Sequence, residues 1–210
     1  MDWMNITLFT INGDTPVLLL DLLCSLLGLS CVFLAGRGSK YNFWVGYLYS
    51  LALFFLFLNK NIYANMILQP VSIGINGIGH YRWTHPRKGE ESSSDRRSLK
   101  VTSLTWMQRL LAVCAVFSLA WLWGWLLGRF ADPVPYLDAC LTILILTAQT
   151  LSALKKWDCW VAWLVVNVVQ ITLHLSVGHI FMSIVSLLYL VNGVISLNDW
   201  YKKYLKDVKH

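Results

Sequence analysis

The stretch WDCWVAWLVVNVVQITLH, residues 157–174, decides how this chain is built. It is long and apolar enough to cross a bilayer as one helix, which takes about 20 mostly apolar residues. Yet it also holds three tryptophans, an asparagine, a glutamine and a histidine. On a helix of about 3.6 residues per turn, positions separated by alternating threes and fours share one face. Trp160, Trp163, Asn167, Gln170 and His174 follow that spacing, and the residues between them are apolar except for Thr172. One side of the helix therefore suits lipid, and the other suits something polar and aromatic.

The whole chain shares this solvent. It has 210 residues, 57% hydrophobic and 13% charged, with a mean hydropathy of +0.56, whereas a soluble domain carries about 25% charged residues. The composition predicts an all-α integral membrane protein with spans near residues 16–35, 42–58, 61–82, 106–128, 133–154, 157–175 and 177–199. Little is left for a soluble domain. The first span is expected to stay in the mature protein, because no Lys or Arg precedes Arg37 and a cleaved signal needs a basic start.

Lys and Arg in the loops set orientation. One side collects fourteen: Arg37, Lys40, Arg82, Arg87, Lys88, Arg96, Arg97, Lys100, Lys155, Lys156, Lys202, Lys203, Lys206 and Lys209. The other has two, Lys60 and Arg129, with Arg109 just inside the fourth span. This places the N-terminus outside and the C-terminus in the cytoplasm. The net charge of +6 sits where that rule expects it, so no nucleic-acid partner is implied. Residues 85–100, HPRKGEESSSDRRSLK, read as a flexible cytoplasmic linker. The five cysteines lie in or beside apolar segments without CxxC spacing and read as small packing residues.

Sliding the chain along itself by 116 or 117 positions reveals a repeat. WVGYL at 44–48 falls on WVAWL at 160–164, LD at 20–21 on LD at 137–138, and YRW at 81–83 on NDW at 198–200. Two three-span units can point the same way only if an odd number of spans separates them. The fourth span supplies it, giving a 3+1+3 parallel pseudo-repeat, an arrangement associated with transporters. The expected parts are a first triple bundle at 16–83, a linker at 84–105, a linking helix at 106–130, a second bundle at 133–200 and a basic tail at 201–210.

The third span carries a stripe of its own: Gln69, Ser72, Asn76, His80 and Trp83, separated by three, four, four and three. Pro70 removes a backbone donor and is expected to kink it. Thr147, Gln149 and Thr150 add polar groups in the fifth span. Amides and indoles offer neutral hydrogen bonds and flat faces, which suits a hydroxylated, ring-containing solute. Asp21 and Asp138 are acidic residues inside the first and fifth spans, at matching repeat positions. Intramembrane carboxylates are functional by default, as proton or sodium sites, but both lie near helix N-termini, where the dipole favours a carboxylate as an anchor. His80, His174 and His179 sit in no metal or catalytic motif. Nucleotide-binding, HExxH and GxSxG motifs are missing, so no enzyme activity and no cofactor is expected.

At these residues the chain resembles the PnuC family of bacterial vitamin transporters. WVAWLVVN at 160–167, after the basic turn LKKWDC, is similar to the family's W-x-x-W-x-x-x-N signature. IYANMILQPVSIGINGIGHYRW at 62–83 and YLDACLTILILTAQ at 136–149 are similar to its third and fifth spans. The resemblance covers about residues 16–202 and implies a SWEET-like 3+1+3 fold in a bacterial inner membrane. It implies nicotinamide riboside as substrate, with thiamine, riboflavin or deoxynucleosides carried by relatives, and facilitated diffusion followed by phosphorylation by a cytoplasmic kinase. Carried over position by position, Trp163 and Asn167 would touch the solute, Trp160 would shape the pocket, and Gln69 and Asn76 would contribute. The stripes add Gln149 and Gln170. His80 stands where many members have Trp, which bears on which vitamin is carried. A seven-helix sensor and a membrane enzyme are the rival readings, and homo-oligomer formation is left open.

Overall fold

The computed structural model describes residues 6–11, 15–60, 62–92, 98–130, 135–176 and 180–208; His179, Arg96, Arg97 and Lys209 lie outside the described residues. Seven long helices dominate: α1 (Leu19–Arg37), α2 (Tyr41–Asn59), α3 (Tyr63–Thr84), α4 (Trp106–Leu127), α5 (Pro135–Ala153), α6 (Asp158–Ser176) and α7 (Ile180–Val208). Six are long and apolar enough to cross a membrane. The exception is α3, which at 22 residues and about 1.5 Å per residue is long enough. Its stripe of Gln69, Ser72, Asn76 and His80 dilutes its hydropathy. It runs as one helix through Pro70.

An antiparallel hairpin that the sequence pattern did not announce precedes α1. Its strands are β1 (Thr7–Ile11) and β2 (Thr15–Leu18), with Thr7 opposite Leu18 and Ile11 opposite Thr15. The Leu19 amide donates to the Ile6 carbonyl at 2.9 Å, so the hairpin leads directly into the helix. α1 ends at Gly38, whose φ of 76° is the left-handed conformation that glycine adopts freely.

The chain divides into two compact units, Met1–Gly77 and Ile78–His210. In the first, α1 packs on α2. In the second, α4 packs on α5, α5 on α6 and α6 on α7. α4 turns apolar side chains outward over most of its circumference and buries Ala120, Gly124 and Leu127. A Cβ on Gly124 would stand 2.5 Å from the Tyr136 ring and 3.1 Å from the Tyr136 Cα, so the approach of α4 to α5 depends on glycine.

The expected flexible linker is built into the fold over its described residues, because its backbone finds partners and Leu99 and Val101 are buried. Glu91 and Leu99 form an antiparallel bridge, and Leu99 and Val101 are buried. Asp207 near the end of α7 accepts from the Ser92 hydroxyl at 3.2 Å and from the Val101 amide at 3.3 Å. Thr102 pairs with the turn between α5 and α6, its amide donating to the Lys155 carbonyl and its carbonyl accepting from the Trp157 amide. Thr105 then caps α4 through reciprocal hydrogen bonds with Gln108.

Replacing Gly124 with alanine is expected to destabilise the protein by about 1–3 kcal/mol, read as a lower unfolding temperature in detergent. Gly74→Ala, where a Cβ meets nothing within 4 Å, is expected to be neutral or slightly stabilising. Equal temperatures for both variants would show that α4 and α5 are not held at this separation.

Candidate functional site

α6 is inside out relative to a helix of a soluble protein. Trp160 and Asn167 are buried, 1% and 5% exposed, and Trp163, Gln170 and His174 on the same face are half-buried. Val161, Val165, Val168, Thr172 and Leu175, spaced four, three, four and three, are exposed. The polar stripe read from the sequence is the inward face, and the apolar residues are left to lipid. Apart from Asp158 at its start the helix carries no Asp, Glu, Lys or Arg, so its inner face offers amide hydrogen-bonding groups and aromatic rings.

Trp160 sits at the start of this face, in the first turn of α6. Its ring meets Trp200 edge-on at 5.6 Å, and Trp200 in turn meets Trp83 at 5.8 Å. Trp83 and Trp200, aligned with each other when the sequence is slid along itself, both belong to the second unit. The Trp83 indole donates to the Ala153 carbonyl at 3.1 Å. The Trp160 Nε1 is buried with no partner among the described residues. Lys155, buried and left-handed at φ 55°, holds its ammonium 4.7 Å from the centre of the Trp83 ring.

A second polar knot braces the start of α6. Asp158 accepts from the Arg109 Nε at 2.9 Å and from the Leu104 amide at 2.8 Å. The Arg109 guanidinium also donates to the Ser103 hydroxyl and lies against the rings of Trp106 and Trp157. This accounts for a charged residue just inside α4. Beside it, burial lowers the Lys156 ammonium below its ordinary value, and the Asp158 charge opposes that shift.

Gln69 and Asn76 belong to the first unit. Gln69 is buried and donates to the Asn65 carbonyl at 3.1 Å. Asn76 presses on α2 at Gly46, where a Cβ would stand 2.8 Å from its Nδ2. Ile67, Val71, Gly74, Ile78 and Tyr81 face outward at spacings of four, three, four and three, so α3 is also polar inside. In the second unit His80 is half-buried on α3, and Gln149 is half-buried on α5, which packs on α6. The structure thus gathers Trp160, Trp163, Asn167 and Gln170 on one inner face and places Gln69 and Asn76 on another.

α7 repeats the pattern unannounced. Ser183, Ser186, Gly193, Ser196 and Trp200 are buried, while Ile184, Leu187, Leu188, Val191, Val194 and Ile195 are exposed. The signal was in the spacing of these small residues, hidden by a composition in which serine is unremarked. Asn192, half-buried, holds its Nδ2 away from solvent with no hydrogen-bond partner among the described residues.

A model of the nicotinamide mononucleotide transporter family matches residues 18–202 of the 210. The chain belongs to that family. Among its relatives is the riboflavin/roseoflavin transporter RibM of Streptomyces davaonensis, 26% identical over 211 aligned positions that span 99% of this chain and 95% of that protein. The nicotinamide riboside transporter PnuC of Escherichia coli is 26% identical over 81% of this chain and 79% of its own length. PnuC of Neisseria mucosa is 28% identical, with coverages of 83% and 69%. A crystal structure of the vitamin B3 transporter PnuC superposes with a TM-score of 0.73 at 22% identity, covering 93% of this chain and 85% of that one. Members of the nicotinamide mononucleotide transporter family carry solutes rather than transform them, and this one is a multi-pass membrane transporter.

In this family member Asp21 has a structural environment. It is buried, its Oδ1 accepts from the Lys60 ammonium at 2.7 Å, and its Oδ2 accepts from the Leu18 amide at 3.3 Å, as an N-terminal capping carboxylate does. Asp138 is half-buried in the first turn of α5. Among the described residues no cluster of His, Cys, Asp and Glu could hold a metal ion. Asp21→Asn is expected to lower the unfolding temperature, by about 1–3 kcal/mol of stability, and to leave solute flux in liposomes indifferent to imposed proton or sodium gradients. A gradient dependence in the native chain that vanishes in the variant would make Asp21 a coupling site.

Proposed function

We propose that this transporter carries nicotinamide riboside across a bacterial inner membrane by facilitated diffusion, with Trp163 and Asn167 as its principal contacts. Gln170, Gln149, Gln69, Asn76 and His80 are proposed as further solute contacts and Trp160 as the wall behind Trp163. The observation that carries the reading is the inward-facing stripe on α6, free of Lys, Arg, Asp and Glu beyond Asp158, which pairs the half-buried Trp163 indole with the buried Asn167 amide one turn away. A nicotinamide ring offers a flat electron-poor face to an indole, and a ribose and a carboxamide offer hydroxyls and an amide to Asn167. Several of the chain's relatives are named for this solute.

The same stripe suits a one-way outcome. A phosphomonoester carries a charge of about −1.5 to −2 near neutrality, and the α6 stripe holds no Lys or Arg to meet it. Phosphorylation by a cytoplasmic kinase would therefore trap the solute after entry. The excess of Lys and Arg on one side supports a cytoplasmic C-terminus and an external N-terminus. The repeat supports two triple bundles at 16–83 and 133–200, joined through α4.

A riboflavin carrier is the second reading, favoured by the match to RibM along 99% of the chain. Isoalloxazine is wider than nicotinamide and makes the same kinds of contact, so stripe chemistry does not separate the two. A thermal-shift panel of nicotinamide riboside, riboflavin, thiamine and deoxynucleosides, followed by uptake into liposomes, does. Nicotinamide riboside is expected to stabilise the protein most and to be taken up. Riboflavin alone giving both effects would transfer the assignment to the second reading, and flux of no solute would remove transport by this chain unaided.

Trp163→Ala and Asn167→Ala are each expected to weaken binding at least about 100-fold, since each leaves buried substrate or protein groups unmatched, while the protein still inserts and folds. Near-native affinity in both variants would place the solute elsewhere.

A further inference from the structure

We propose that Asn192 on α7 is a further, specificity-determining contact, donating its side-chain amide to an acceptor oxygen of the solute beside Trp163 and Asn167. The proposal rests on the reading of the inner face of α6 as a substrate wall. Two contacts fix how α6 and α7 meet. Trp160 touches Trp200, and a Cβ on Gly193 would lie 3.1 Å from Leu164. The helices are therefore antiparallel, with Leu164 and Gly193 facing each other at one level.

Residue numbers wind in opposite senses around two antiparallel helices viewed from one end. One step back from a facing pair, a turn of about 100° on each helix, thus reaches the same flank of both, and one step forward reaches the opposite flank. The forward neighbours are Val165 and Val194, and both face outward at 49% and 54% exposure. The backward neighbours are Trp163 and Asn192, both half-buried. Asn192 hence shares the flank of the stripe. At about 1.5 Å per residue it stands at a level between Trp163 and Asn167.

Its chemistry asks for a ligand. The Nδ2 is buried without a hydrogen-bond acceptor among the described residues, and a buried donor left unmade is costly. The group that would satisfy it is a carbonyl or hydroxyl oxygen of a solute lying against Trp163. Solutes that lack an acceptor there are rejected, because a site built to hydrogen-bond discriminates strongly against partners that cannot.

The test uses the purified full chain, calorimetric binding of nicotinamide riboside, riboflavin, thiamine and a deoxynucleoside, and unfolding temperatures without ligand. Asn192→Ala and Asn192→Leu are expected to weaken the solute that the native chain binds by at least about tenfold. The ligand-free unfolding temperature of Asn192→Leu is expected to be unchanged or higher, because an unmet donor has been removed. Affinities within twofold of native, or a loss of affinity matched by a fall in ligand-free stability in both variants, would overturn the proposal and leave the α6 site standing. A native chain that binds none of the four solutes would overturn the α6 site and this proposal together.

Discussion

Hydrocarbon offers no hydrogen-bond partner, and that constraint arranges nearly everything else in this molecule. Each amide or indole N–H placed toward lipid forfeits hydrogen bonding, so the asparagines and glutamines of α3 and α6 turn inward. Valine, isoleucine and leucine, already at home in lipid, turn outward. The cost of a polar residue in the membrane thereby becomes a means of grouping polar residues together. Recognition of a hydroxylated ring needs such a group, which is why the segments least like simple membrane spans hold the candidate site.

Much of this was legible in the sequence for the same reason. A three-and-four spacing of Trp160, Trp163, Asn167, Gln170 and His174 has one physical solution on a membrane helix, and α6 adopts it. The seven helices follow from apolar runs of bilayer length, and the family follows from motifs in matching order. Serine escaped notice on α7 because its presence in a span is common and its spacing matters only once helix contacts are known. Asn192 stood out even less, a lone amide whose flank is decided by the Leu164–Gly193 contact rather than by its neighbours in sequence. Mixed charge and serine usually mean a solvated chain, whereas here Leu99 and Val101 are buried and Asp207 receives the backbone.

Repetition in the sequence does not make the two copies equal. Trp44 and Trp160 occupy matching positions, yet Trp44 is exposed at the side of α2 and Trp160 is sealed beneath Trp200. Tyr47 stands where the second copy has Trp163, and Gly46 makes room for Asn76 rather than for a packed side chain. A shared backbone plan has thus been furnished differently, with indoles concentrated in one copy and a close glycine–amide contact in the other. Relatives of one family that carry solutes as different as riboflavin and nicotinamide riboside are understandable on this basis. The scaffold needs only two inward faces, and each face is open to separate revision.

The bonds that join Thr102, Leu104 and Arg109 to the turn before α6 bear on how such a carrier could move. They fasten the beginning of α4 to the beginning of α6, while α5 is held between the two in sequence and by packing. Three helices are joined at one end, and the stripe of α6 begins at that joint. The ion pair to Asp158 and the rings of Trp106 and Trp157 beside Arg109 make this junction a built joint rather than a loose loop.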